Sequence, residues 1–109
     1  MRFHHIGIPT TEPREGETYS AASKLFITDI DSHPYRVEWL RFEEGSPMPE
    51  LIQTVPHVAF AVSDLEEAIE GKVVLIPPKV TAAGHTIAFI VEGGAPIEFV
   101  QVSDSEDCR

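Results

Sequence analysis

Four residues of the 109-residue chain combine the side chains and the surroundings of a metal site: His5, Glu38, His57 and Glu98. Each lies in an apolar stretch typical of a β-strand, where an imidazole or a carboxylate is unusual unless it faces water or has a partner. Two imidazoles and two carboxylates form a donor set that suits Zn, Ni, Mn, Co or Fe, and the carboxylates would balance the charge of a divalent ion. On an octahedral ion, such a set would leave about two positions open for water or substrate.

Strand periodicity gives these positions two interpretations. His57 shares a strand face with Ala59 and Ala61, while Val58 and Phe60 point to the opposite face, because side chains alternate along a strand. The other members of the set lie in the same way on the polar or small-residue face of their strands. They are therefore either solvent-facing positions of one-sided strands or ligands that the fold brings together. Sequence spacing leaves both alternatives open, since no two of these residues share a local element.

Short runs of apolar residues predict the elements that would carry this set. Ser63 and Glu66 match a capping box for a short helix, which Gly71 ends as a C′ glycine. Residues 9–17 contain prolines, a glycine and charges without apolar periodicity, so we expect a loop there, and residues 19–23 allow a helical turn. The predicted strands cover residues 3–8, 25–30, 35–42, 57–62, 72–76, 86–91 and 95–102, with a hairpin formed by 25–30 and 35–42 and a connection over 77–85.

Composition limits the class of protein. With 8 basic and 18 acidic residues the formal net charge is −10, so the chain lacks the positive surface that nucleic acids require. The single cysteine, Cys108, excludes a disulfide scaffold and a cysteine-based zinc cluster. No apolar run reaches the roughly 18 residues of a membrane span and no signal-peptide pattern opens the chain. We therefore expect a cytoplasmic protein whose partner is a small molecule rather than a nucleic acid or a membrane.

Two halves of the sequence echo each other, because FHHIGIP and VPHVAFAV each place a histidine at the head of a β-rich run. Together with VEWLRF, PHVAFAVSDLEEAI and HTIAFIVEGGAPIEFVQ, this pattern resembles the vicinal oxygen chelate superfamily. That superfamily includes glyoxalase I, methylmalonyl-CoA epimerase, extradiol dioxygenases and bleomycin-resistance proteins. The resemblance implies an α+β fold of paired βαβββ modules that form a cup-shaped, glyoxalase-like sheet. Since PTTEPREGE stands where the first helix should be, we expect the first module to lack its helix.

The resemblance also implies how the chain is divided. A single glyoxalase-like domain would cover residues 1–109. Within it, a shortened N-terminal β-loop-β-β module would cover residues 1–46, and a complete βαβββ module residues 55–103. Residues 104–109 form an acidic tail that is expected to fray. The resemblance is also compatible with a homodimer.

A role for each of the four residues follows from the same resemblance. It implies that His5, Glu38, His57 and Glu98 are the metal ligands, and that Glu98 or Glu38 is the catalytic base that moves a proton at carbon. The implied function is a divalent-metal lyase or isomerase of the glyoxalase/epimerase type, acting on a small oxygen-chelating substrate. Two alternatives stay open: a non-catalytic small-molecule binding protein of the bleomycin-resistance type, and an Fe(II) extradiol-type dioxygenase that uses His5, His57 and Glu98.

Three further residues are candidates for substrate contacts. Arg36 could hold a substrate carboxylate. Trp39 could contact a ligand at the side of the cup, and His85 could do so just before the strand at 86–91. Two of them also have a structural interpretation, since Arg36 could form a cross-strand surface ion pair and Trp39 could be a packing residue. His4 and His5 point to opposite faces of the first strand, so only one of them can be a ligand, and the strand register decides which.

Overall fold

The computed structural model describes residues 1–81 and 83–103 of the chain. The predicted acidic tail and Cys108 lie outside these ranges. In chain order the described elements are β1 (Arg2–Pro9), β2 (Thr18–Ser20), β3 (Leu25–Ile27), a 3-10 turn (Ile30–Ser32), β4 (Val37–Phe42), α1 (Glu50–Thr54), β5 (His57–Val62), α2 (Leu65–Ile69), β6 (Val73–Val80), β7 (Thr86–Glu92) and β8 (Ala95–Gln101).

The chain separates into two compact units. The first unit is His5–His57, and the second unit combines Met1–His4 with the chain from Val58 onward. The first unit therefore contains most of β1 and all of β2, β3, β4 and α1, and it ends at the first residue of β5.

The strands of the first unit follow one another in the order β2-β3-β4-β1. β3 and β4 form the predicted antiparallel hairpin, whereas β1 runs parallel to β4 and places Gly7 opposite Glu38. No helix interrupts residues 10–17, as expected for a shortened module. The helical turn allowed for residues 19–23 is wrong: Thr18–Ser20 form β2, in which the Tyr19 ring packs against Phe26 across the ladder. The cross-strand aromatic contact favours the extended backbone.

The second unit contains the complete strand-helix-strand pattern that the sequence predicts. Its strands follow the order β5-β8-β7-β6, with β5 parallel to β8 and the other pairs antiparallel. The α2 helix contributes Leu65 to a core formed with residues of three strands. This core consists of Val62, Leu65, Ala88, Ile90 and Phe99.

The α2 helix begins one residue later than the capping box predicted. Asp64, not Ser63, is the N-cap, because its backbone is extended and its Oδ1 accepts the Glu67 N–H at 3.1 Å. Both residues are good caps, so local chemistry alone does not choose between them. The C-terminal end is as predicted: Gly71 follows the C-cap with φ +74°, a conformation that favours glycine.

The helices of this fold are short. Both α1 and α2 contain five residues, whereas a transmembrane helix needs about 20 apolar residues. Within residues 1–81 and 83–103, no helix is long and apolar enough to cross a bilayer.

The β6 strand is longer than predicted. It continues through Pro77 and Pro78 to Val80, whereas the sequence pattern predicts an end at Ile76. β6 is the last strand in the order of its unit and, among residues 1–81 and 83–103, has a ladder neighbour on one side only, so proline is tolerated on the other side. The register with β7 shifts on both sides of Ile76, which accommodates the two prolines.

Candidate metal centre

Three of the four predicted metal ligands come together in the first unit. His5, Glu38 and His57 each offer one donor atom, and these atoms all lie within 4.8 Å of one another. His5 is 4% exposed and His57 is 2% exposed, while the Glu38 side chain keeps 21% of its surface accessible. The solvent-facing interpretation is therefore wrong for the two histidines, and Glu38 is the most exposed of the three side chains.

The pairing of β1 with β4 positions two of these residues. His5 and Gly7 occupy the buried face of β1, since burial alternates along the strand, and His4 points to the other face. The register places Gly7 directly opposite Glu38, one pleat from His5. His5 Nε2 lies 3.5 Å from Glu38 Oε1 as a result. The register thus selects His5 rather than His4 for the cluster.

His57 enters the cluster at the beginning of β5. Pro56 precedes it, and a residue before proline is restricted to the extended conformation, so Val55 ends α1 with an extended backbone. The His57 ring meets the His5 ring edge to face, with centroids 5.7 Å apart and planes at 81°. This arrangement directs the edge of one imidazole toward the face of the other and keeps both within reach of Glu38.

The chemistry of the cluster fits a divalent ion. Two imidazoles and one carboxylate are a donor set used for Zn, Mn, Fe, Co and Ni, and donors about 2.1 Å from a common ion lie about 3 to 3.5 Å apart. The observed separations, within 4.8 Å, approach that spacing with small side-chain adjustments. Burying these polar groups costs free energy that ligation would recover. His5, Glu38 and His57 are thus the residues that would hold the ion.

The fourth predicted ligand, Glu98, belongs to the second unit. It lies on β8 between Ile97 and Phe99 and is 8% exposed, so it is also buried rather than solvated. Along the ladders it stands opposite Ala59 of β5 and Phe89 of β7. A buried carboxylate in an apolar strand is unusual and calls for a charged or hydrogen-bonding partner. Its roles as ligand and base stay predictions.

Two of the three residues proposed for substrate contact, Arg36 and Trp39, contact another side chain of the protein. The Arg36 guanidinium is 3.2 Å from Asp31 Oδ1, a surface ion pair with the 3-10 turn rather than with a neighbouring strand. Trp39 follows Glu38 directly on β4 and therefore points to the opposite strand face, where the Arg14 guanidinium lies 3.8 Å from its ring centroid. His85 is exposed ahead of β7. Substrate binding by Arg36, Trp39 and His85 stays a prediction.

The charged loop between β1 and β2 is tied to the sheet by a two-pronged ion pair. Arg41 donates to Glu17 through Nε at 2.9 Å and through its terminal nitrogen at 2.7 Å. This hydrogen bonding holds the pKa of Glu17 below its ordinary value and raises that of Arg41. Nearby, the 2.6 Å hydrogen bond from the Tyr19 hydroxyl to Glu43 raises the tyrosine pKa. These charges stabilise the loop that stands in place of a helix.

One residue of the centre was missed by the sequence analysis. Gly7 lies beneath the His57 ring, so close that an added Cβ would stand 2.2 Å from His57 Cε1. The available signal was the glycine itself, because glycine inside a strand marks a close approach of another group to the backbone.

Two solved structures resemble this chain over nearly its whole length. A hypothetical protein from Bacillus halodurans C-125 shares 22% identity at a TM-score of 0.73, covering 94% of this chain and 95% of that one. Methylmalonyl-CoA epimerase from Mycobacterium tuberculosis shares 16% identity at a TM-score of 0.65, covering 99% and 92%. No protein-family profile and no curated protein matches the sequence. The similarities define the fold as α+β and glyoxalase-like, as predicted. The structure itself shows the predicted lack of a helix in residues 10–17.

Proposed function

We propose that this protein is a divalent-metal-dependent lyase or isomerase of the glyoxalase/epimerase type. The observation that carries the proposal is the buried His5–Glu38–His57 cluster, whose donor atoms lie within 4.8 Å of one another. The glyoxalase-like fold supports it, since the same sequence features that predicted the fold also predicted these three residues as ligands. Glu98 is proposed as the fourth ligand.

A metal ion held by these residues would supply Lewis-acid polarisation of a substrate carbonyl oxygen. The chain itself has three tasks. His5 and His57, both buried, would bind the ion through imidazole nitrogens. Glu38 would add a negative charge that balances the ion. Glu98, a buried carboxylate on β8, is the base proposed to take and return a proton at the carbon next to the carbonyl.

The proposed substrate is a small molecule with two neighbouring oxygen atoms, which could occupy the positions that the protein ligands leave open. The similarity to methylmalonyl-CoA epimerase adds acyl-CoA esters to the 2-oxo acids and hemithioacetals that fit this chemistry. Glu38 marks the accessible side of the cluster, because it keeps a fifth of its side chain exposed.

An Fe(II) dioxygenase is the second candidate, favoured by one observation. The donors that the first unit brings together are two histidines and one carboxylate, the set typical of non-haem Fe(II) oxygenases. In this version Glu38, rather than Glu98, is the carboxylate ligand of the iron. Ring cleavage of catechols under air, supported by Fe(II) and not by Zn or Co, would distinguish it from the isomerase.

Metal analysis of protein purified without chelator tests the ligand assignment. We expect about one transition-metal ion per chain in the wild type and a loss of most of it in His57→Ala. His4→Ala is the matched control, because it removes an adjacent histidine of β1 that points to the other strand face. Absence of metal from the wild type, or equal metal in His57→Ala, would remove the basis of the proposal.

Turnover assays of the metal-loaded protein then test the reaction class. Substrates should include acyl-CoA epimers, hemithioacetals, 2-oxo acids and catechols. Proton exchange at the carbon next to a carbonyl, lost in Glu98→Gln, is the expected result. Metal binding without turnover of any of these compounds would favour the third function, a non-catalytic small-molecule binding protein.

A further inference from the structure

Gly7 differs from the other glycines of this chain in the reason for its presence. Gly16, Gly45, Gly71 and Gly84, together with Gly93 and Gly94, have positive φ angles, which favour glycine for backbone reasons. Gly7 has no such angle and lies inside β1, where glycine weakens the strand. Its side chain is therefore missing for a reason other than the backbone conformation.

The reason is the position of the His57 ring. A Cβ on residue 7 would stand 2.2 Å from His57 Cε1, 2.6 Å from Nε2 and 2.8 Å from Nδ1. All three distances are shorter than van der Waals contact, so even an alanine would force the ring to move. His57 is 2% exposed, and its ring is surrounded by other atoms that limit where it could go.

Gly7 also adjoins both other donors of the cluster. It lies two residues from His5 on the same face of β1 and directly opposite Glu38 on β4. Because the His57 ring lies against the Gly7 backbone, it also lies close to the side chains of His5 and Glu38. Displacing the ring outward from this surface would carry its nitrogens away from them.

We propose that Gly7 is a positioning residue of the metal centre: its missing side chain lets the His57 imidazole lie against β1, within reach of His5 and Glu38. This inference rests on the proposed function, because it assumes that the three residues bind an ion. Gly7 makes no bond to the ion and acts only through the placement of the ring.

Zinc titration by calorimetry tests the effect on the centre. Gly7→Ala should weaken zinc binding by about 10- to 100-fold, the range found when groups that orient metal ligands are changed. Gly16→Ala is the control, since it lies at φ +83° in open space and would perturb the backbone of a loop rather than the cluster. It should bind zinc like the wild type even where its thermal midpoint is lower.

A double-mutant cycle on the metal-free protein tests the contact itself. Gly7→Ala should lower the thermal midpoint of the wild type, and it should have little effect in a His57→Ala background, where no ring opposes the new methyl group. Recovery of folding in the double variant would support the contact if Gly7→Ala alone does not fold. Equal destabilisation in both backgrounds, or failure of the double variant to recover, would overturn it.

The two experiments separate the inference from the proposed function. Wild-type zinc affinity retained in a folded Gly7→Ala variant overturns the positioning role alone. Failure of the wild type to bind zinc, cobalt, nickel, manganese or iron overturns both, even if the cycle shows that the ring and Gly7 are in contact. Weakened zinc binding by Gly7→Ala together with a coupled cycle supports both.

Discussion

Glu38 provides the negative charge of the cluster and is the residue whose change is easiest to interpret. Glu38→Gln keeps the size and shape of the side chain and removes the charge, so the ion would lose charge balance and a strong oxygen donor. We expect zinc affinity to fall at least about tenfold, measured by calorimetry. Glu92→Gln, which neutralises an exposed acid at the end of β7, should leave the affinity unchanged. Equal affinities in the wild type and Glu38→Gln would show that Glu38 is not a ligand.

The sequence identified the ligand candidates but not their surroundings. Histidine and glutamate in apolar strands are unusual enough to be found by inspection, and His5, His57 and Glu38 were found in this way. The choice between His4 and His5 depends on strand register, which the β1–β4 pairing sets through contacts distant in the chain. Burial of His57 on Gly7 is a similar long-range effect, and it could only be suspected from a glycine in a strand.

The loop between β1 and β2 depends on the Glu17–Arg41 ion pair, and this dependence predicts an effect of pH. The pKa of Glu17 lies below its ordinary value of 4.5 in the folded protein, mainly because Arg41 donates hydrogen bonds to the carboxylate. As the pH falls below about 4.5, the unfolded chain binds the proton first, so the free energy of unfolding decreases until the folded carboxyl is also protonated.

Glu17→Gln should remove this contribution. The variant should be less stable than the wild type at neutral pH, and the difference should shrink as the pH falls through the folded pKa of Glu17. Urea unfolding at several pH values measures it, with Glu12→Gln, an exposed acid of the same loop, as the control. A stability difference that does not change with pH would contradict the role of the ion pair.

The start of α2 offers a second prediction for a single element. Asp64 accepts the Glu67 N–H and caps the helix, so Asp64→Ala should destabilise the protein by about 1 kcal/mol. Ser63→Ala removes the cap that the sequence predicted and should have little effect. Chemical unfolding of both variants measures the difference. The reverse order of effects would show that the helix begins at Ser63 in solution.

Most of the elements were predictable, and the exceptions have physical reasons. Strands β4 and β5 are rich in β-branched or aromatic residues, and this local signal agrees with the final structure. The extension of β6 through Pro77 and Pro78 was not predictable, because prolines are tolerated only at an edge and the sequence does not say which strand is the edge. β2 was missed because its three residues, Thr18–Ser20, lack the apolar run that marks β3.

For the whole molecule, metal binding and stability should be linked. An ion that binds only the folded protein adds about 2.7 kcal/mol to the free energy of unfolding when its concentration is 100 times the Kd. Zinc should therefore raise the thermal midpoint of the wild type and leave that of His57→Ala unchanged, which a calorimetric scan measures. Equal shifts in both proteins would indicate that zinc binds to surface carboxylates instead.

The fold of the whole chain was predicted by resemblance rather than by composition. The strand-helix-strand pattern of residues 56–102 and the histidine that opens each half led to the glyoxalase-like fold, which the structural similarities confirm. The first module was harder to predict, because a loop of charges and prolines replaces its helix and carries no periodic signal. This loop is held by the Arg41–Glu17 ion pair and by the contact of Arg14 with the Trp39 ring. Both contacts join residues that are distant in the sequence.

The most direct test of the central claim is an anomalous difference map from a crystal soaked in a zinc salt. One strong peak per chain is expected, within about 2.0 to 2.2 Å of His5, Glu38 and His57. The same map would show whether Glu98 supplies a fourth bond. No peak at the His5–Glu38–His57 cluster, or peaks only beside exposed carboxylates, would contradict the assignment of these residues as metal ligands.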